Sequence, residues 1–138
     1  MHVFKPLTVR KRYKAHVRFS DIDSFGHMHN AAYFHLFESA RIQCFQEMLG
    51  PNWDWNQEGV VLVENNAQYL IPVSLSDQVS VSLHVTKIGN KSFTIAYQVW
   101  MQEKEHCRGH STLVCYNHST QKSIAIPEKL KTVLNQLT

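Results

Sequence analysis

The stretch "VRFSDIDSFGHMHNAAYFHLFESAR", residues 17–41, decides how this chain is read. It places two carboxylates, a glycine and two histidines between two different periodicities. Just before and into it, Tyr13, Ala15, Val17 and Phe19 alternate with Lys14, His16 and Arg18. Period two predicts a half-buried strand over residues 13–19. "SDIDSFG" interrupts it with turn formers and a glycine. From Ala31 to Leu49 the spacing turns helical through Tyr33, Leu36, Phe37, Ala40, Cys44 and Met48. Phe34, Ile42, Phe45 and Leu49 lie off that stripe, so the helix is apolar over much of its girth and predicts burial among other elements. Asn30 is the expected N-cap and Gly50-Pro51 the expected stop.

Downstream of "GPNWDWNQEG" the pattern is strand after strand. "VVLVENNAQYL" (60–70), "DQVSVSLHVTKI" (77–88), "KSFTIAYQVWM" (91–101) and "GHSTLVCYN" (109–117) are separated by "IGNK", "NHSTQK" and similar turn chemistry. "SIAI" leads to Pro127 and a last helix with Leu130, Val133, Leu134 and Leu137 on one face. Successive strands joined by short turns are antiparallel. One strand, one long apolar helix and four or more strands predict an α+β domain whose curved antiparallel sheet wraps the helix.

The whole chain, 1–138, suits one such domain. Its 43% apolar and 18% charged residues match a soluble protein that buries a core without disulfides. The three cysteines, Cys44, Cys107 and Cys115, are odd in number and form no CxxC pair. That argues against a disulfide framework or zinc ribbon and for a reducing, cytoplasmic setting. No run has transmembrane length, and no apolar stretch follows the basic start as in a signal peptide. A net charge of +3, with Lys and Arg scattered outside "RKRYK" (10–14), predicts neither nucleic acid nor membrane as partner. It fits a small or medium polyanionic ligand better.

The 17–41 stretch resembles the signature of the hotdog-fold thioesterases, specifically the 4-hydroxybenzoyl-CoA and long-chain acyl-CoA thioesterase group. In these, a strand ending in F-x-D-x-D runs through GHxNN into Y-x-x-x-F-E-x-A-R. The matching residues are Phe19, Asp21, Asp23, Gly26, His27, Asn30, Tyr33, Phe37, Glu38, Ala40 and Arg41. "NAQYLIPVSLSDQVSV", "IGNKSFTIAYQV" and "TLVCYNHSTQKSIAIPEKL" resemble the later strands in order. Two positions depart from the pattern: His29 replaces an asparagine, and Ser76 replaces a glycine in the turn before the third strand.

The resemblance implies a hotdog fold and hydrolysis of acyl-CoA to a free acid and CoA, without a cofactor. It puts the catalytic carboxylate at Asp23. A carboxylate can attack a thioester to give a mixed anhydride, or it can deprotonate an attacking water. Either route needs charge stabilisation at the thioester oxygen. The helix start at Asn30 offers unpaired N–H groups and a partial positive charge. Gly26 allows close backbone approach. His27, counted with Asp23 and Asn30 in the catalytic set, would hydrogen-bond in the turn or line the thioester pocket, and Tyr33 would contact the substrate. Lys91 and Ser92 match positions where relatives hold the nucleotide phosphates, with Arg108 and His110 as further cations.

The rival carboxylates are Glu38 and, more distantly, Glu64. Asp21 is expected to be structural, paired with Arg41 or a turn amide. His27 and His29 form an H-x-H with His35 further on, but no third ligand stands out, so no metal is predicted. Trp53, Trp55, Phe25 and Tyr69 are candidates to line the acyl chain. Relatives form edge-joined dimers or tetramers with sites between subunits, which implies a homodimer or homotetramer here. The same fold also serves non-catalytic acyl-CoA or acyl-carrier-protein binding modules, which a hydrolysis assay separates from an enzyme.

Overall fold

The computed structural model describes residues 10–75 and 78–138. The turn carrying Ser76 lies outside them. The elements are β1 (Arg12–Ala15), a 3₁₀ turn (Phe19–Asp21), α1 (Ala32–Leu49), β2 (Gly59–Tyr69), β3 (Val79–Ile88), β4 (Ser92–Met101), β5 (Lys104–Asn117), β6 (Lys122–Ser123) and α2 (Glu128–Gln136). The sheet runs β1-β3-β4-β5-β2, with β6 added to the end of β5, and all its pairings are antiparallel. This is the α+β arrangement expected, a curved sheet around one long helix.

The alternation of β3 and β4 is realised as burial. Val79, Val81, Leu83 and Val85 face the core with Phe93, Ile95, Tyr97 and Val99. α1 buries Tyr33, Leu36, Phe37, Ala40, Cys44, Phe45 and Leu49 against that layer. Phe37 stacks flat on Tyr97, with centroids 4.4 Å apart. The stack brings Phe37 so close to β5 that a Cβ at Gly109 would sit 2.8 Å from its ring and 2.1 Å from the Asn66 carbonyl oxygen. Only glycine fits there. α1 stops at Gly50, whose φ is +82° and whose N–H bonds the Gln46 carbonyl at 3.1 Å. α2 closes the core with Leu130, Val133 and Leu134.

Two expectations at the start of the fold are corrected. β1 ends at Ala15, and Phe19 is 84% exposed in the 3₁₀ turn instead of pointing inward. The side chain of Asp21 pulls this segment into the turn by accepting the backbone N–H of Arg18 at 2.8 Å. Asn30 does not cap α1, which begins at Ala32 with Ala31 as the N-cap residue and no side-chain cap. Residues 29–31 instead form a tighter turn, with the N–H groups of Ala32, Tyr33 and Phe34 bonded three residues back to His29, Asn30 and Ala31.

Candidate active site

Asp23 sits in a closed loop that joins the 3₁₀ turn to α1. Its N–H bonds the His27 carbonyl at 2.8 Å, and its own carbonyl accepts the Gly26 N–H at 3.1 Å. Gly26 carries a φ of +79°, the left-handed value the turn needs there. The Asp23 side chain folds back on this turn. Its Oδ1 accepts the N–H of Phe25 at 2.9 Å and of His27 at 3.3 Å. Oδ2 has no hydrogen-bond partner among the described residues. The carboxylate is therefore held by one oxygen and free at the other.

The loop is anchored outside itself as well. Ile22 bridges Met28 and His27 bridges Ser74, and the Met28 N–H bonds the Val73 carbonyl at 2.7 Å. Residues 70–75 thereby form a wall beside the turn. Leu70, Ile71 and Leu75 are exposed there, and Phe25 at the turn's tip is 84% exposed. Sequence reading missed this wall; its signal was the apolar run around Pro72 in "YLIPVSL".

Tyr33 lies under the helix start, buried and edge-on to Tyr69 at 5.0 Å, so it supports the site from below. Tyr69 donates its hydroxyl to the Asn30 carbonyl at 3.2 Å. The backbone N–H groups of Asn30 and Ala31 have no partner among the described residues. Unpaired N–H groups at a helix start are anion-stabilising donors.

Asp21 pairs with Arg18 at 3.2 Å, not with Arg41. Burial pushes its carboxyl upward, but hydrogen bonds from the Arg18 backbone and guanidinium, with the nearby charges of Arg18 and His29, leave it below the usual range. Arg41 is buried instead beneath the sheet, where its Nη1 donates to the Tyr97 hydroxyl at 2.9 Å.

The other candidates disperse. Glu38 is exposed on α1, past its first turn. Glu64 is paired with His110 at 3.0 Å. Arg108 is paired with Glu105. These two pairs engage the cations expected in a phosphate patch. Trp53 and Trp55 pack around the C-terminal half of α1, with Trp55 6.0 Å from Phe45. Among the described residues, no three His, Cys, Asp or Glu side chains converge as a metal site.

Lys91 and Ser92 do not join Asp23 within the protomer. The Asp23 loop lies where β3 begins and β2 ends, as the Ala15–Val79 pairing and the Ser74 bridge show. Ser92 pairs with Val114, which pairs in turn with Val61 at the start of β2. The two ends are separated by the eight residue steps of β4 from Ser92 to Trp100, or about 26 Å.

Residues 17–134 match the thioesterase-like superfamily. YsmA of Bacillus subtilis (strain 168) is 29% identical over 124 residues, covering 88% of this chain and 82% of its own. The long-chain acyl-CoA thioesterase FadM of Escherichia coli (strain K12) is 25% identical over 124 residues, covering 88% of this chain and 94% of its own. A thioesterase from Thermus thermophilus, solved with coenzyme A and zinc, superposes with a TM-score of 0.80 at 28% identity, over 91% of this chain and 92% of that one. The loop that holds Asp23 and the strands beside it fall within the matched span, and the chain belongs to the thioesterase-like superfamily: it is a thioesterase of hotdog fold.

Proposed function

We propose that this thioesterase hydrolyses acyl-CoA to the free acid and CoA, with Asp23 as the catalytic carboxylate. The observation that carries this reading is the half-engaged side chain of Asp23. Oδ1 is fixed by two backbone N–H groups, which orients Oδ2 without consuming it. The unpaired N–H groups of Asn30 and Ala31 follow within eight residues and supply the oxyanion site.

In the nucleophilic route, Oδ2 bonds to the thioester carbonyl carbon. The carbonyl oxygen takes up negative charge at the N–H pair. The C–S bond then breaks, CoA leaves as thiolate and takes a proton, and water opens the resulting anhydride. In the general-base route, Oδ2 takes a proton from water as that water attacks. Holding carboxylate and carbonyl together favours direct attack by several kcal/mol over recruiting free water. The exposed rim of Phe25, Leu70, Ile71 and Leu75 gives an apolar acyl group a surface beside the reacting carbon. His27 lies in the same turn with its ring exposed.

The nucleotide contacts at Lys91 and Ser92 require a second copy. Among the described residues β2 is an edge strand, paired only with β5, and its Leu62 and Val63 are exposed. An open edge of eleven residues is a template for pairing. Antiparallel pairing of β2 with the β2 of a two-fold copy reverses the ends of the sheet. It brings the partner copy's β3–β4 turn toward the Asp23 loop, so a homodimer assembles each site from two chains.

The test is a thiol-release assay over acyl-CoA substrates from acetyl to palmitoyl, with aromatic ones included. Turnover by the wild type that is lost in a folded Asp23→Asn variant supports the reading. Wild-type turnover in that variant moves the catalytic role to Glu38. No turnover of any substrate, with acyl-CoA still bound, gives a binding module instead.

A further inference from the structure

We propose that Asp21, with Arg18 and His29, is the positioning brace of the Asp23 carboxylate; the proposal rests on the catalytic role of Asp23 given above. Asp21 is 6% exposed, a buried carboxylate two residues before the attacking one. Its Oδ2 accepts the Arg18 N–H at 2.8 Å and Nε at 3.4 Å, and its Oδ1 accepts Nη2 at 3.2 Å. Those donors and its burial take it out of proton transfer to substrate.

The main chain of Asp21 grips both sides of the loop. Its N–H bonds the Arg18 carbonyl at 2.9 Å, and its carbonyl accepts the His29 N–H at 2.8 Å. The His29 ring adds a third tie, Nε2 to the Ser20 carbonyl at 3.2 Å. A carbonyl only accepts, so Nε2 carries the proton. The knot closes the base of the loop that carries the Ile22–Met28 bridge, the Asp23–His27 closure and the N–H groups that fix Oδ1 of Asp23, while the Met28–Val73 bond and the His27–Ser74 bridge hold its other side. An error of about 1 Å in the approach of Oδ2 is enough for a large loss in rate. A buried carboxylate that holds the loop at its base supplies that precision.

The experiment compares Asp21→Asn, Arg18→Gln and Asp23→Asn, singly and combined, by kcat and KM on one acyl-CoA substrate. An amide at residue 21 turns an NH₂ toward the donors of Arg18. Arg18→Gln keeps the backbone N–H to Asp21 and removes only the guanidinium, so it serves if the Asp21 variant does not fold. For either variant, kcat is expected to fall about tenfold or more with KM within twofold. In an Asp23→Asn background the same change is expected to remove nothing further, because its effect acts through Asp23. A wild-type kcat, a rise in KM alone, or an additional loss in the Asp23→Asn background overturns the brace. An active Asp23→Asn enzyme would overturn the catalytic reading instead, so the two failures are distinct.

Discussion

The buried guanidinium of Arg41 donates to the hydroxyl of Tyr97 at 2.9 Å, linking the middle of α1 to the inner face of β4. Tyr97 also stacks on Phe37, so one side chain fixes the helix by both packing and charge. Tyr97→Phe keeps the ring and removes the acceptor. It should cost about 1–3 kcal/mol of stability by leaving a buried cation short of a partner. Urea unfolding of the two proteins measures this, and equal midpoints with equal slopes would show the bond contributes nothing.

Different substitutions separate the catalytic role proposed for Asp23 from its hold on the turn. Asp23→Asn keeps an oxygen to accept the Phe25 and His27 N–H groups, so stability should hardly change. Activity should fall on the order of 10²-fold or more, because an amide neither attacks nor takes a proton well. Asp23→Ala removes the turn bonds too and should add a stability loss of about 1 kcal/mol. Thermal melts of both variants beside their turnover numbers check the split. Equal melting for the two would mean that the turn bonds are idle.

The trans placement of Lys91 is tested by mixing. Lys91→Glu alone should raise KM for acyl-CoA far more than for a short acyl-pantetheine thioester, and less so at high salt. In a heterodimer of Asp23→Asn and Lys91→Glu chains, one site has Asp23 from one chain and Lys91 from the other, both intact. Co-refolded mixtures should therefore recover wild-type KM in a fraction of their sites. If every active site keeps the raised KM, Lys91 acts within its own chain or not at all.

Asp21 also gives a pH signature. Its carboxyl is held below the usual range in the folded protein. Such a group contributes stability above its unfolded value, near 3.9, and loses it as pH falls through the folded value. The stability gap between wild type and Asp21→Asn should be constant above about pH 5 and narrow below about pH 4. Chemical denaturation at several pH values reads it. A gap that stays flat to pH 2 would mean that the Asp21 charge does not stabilise the fold.

The sequence by itself determined the element order, the antiparallel sheet and the long buried helix. Period-two and period-3.6 burial are properties of consecutive residues, and the alternating core faces of β3 and β4 follow from them directly. Gly50 was equally legible, since a helix stop is set by one residue's backbone freedom. The turn that holds Asp23 and Gly26 was legible through its motif, whose parts lie within one short loop.

Tertiary structure decided what depends on where the chain goes. Asp21 chose Arg18 over Arg41 because the 3₁₀ turn brings the nearer arginine round while the helix carries the other under the sheet. Asn30 lost its capping role because the chain enters α1 through a tight turn rather than an extended residue. The wall at 70–75 and the separation of Lys91 from Asp23 are matters of strand direction. Residues far apart in sequence meet, or are held at opposite ends of a strand, only once the register of β2, β4 and β5 is set.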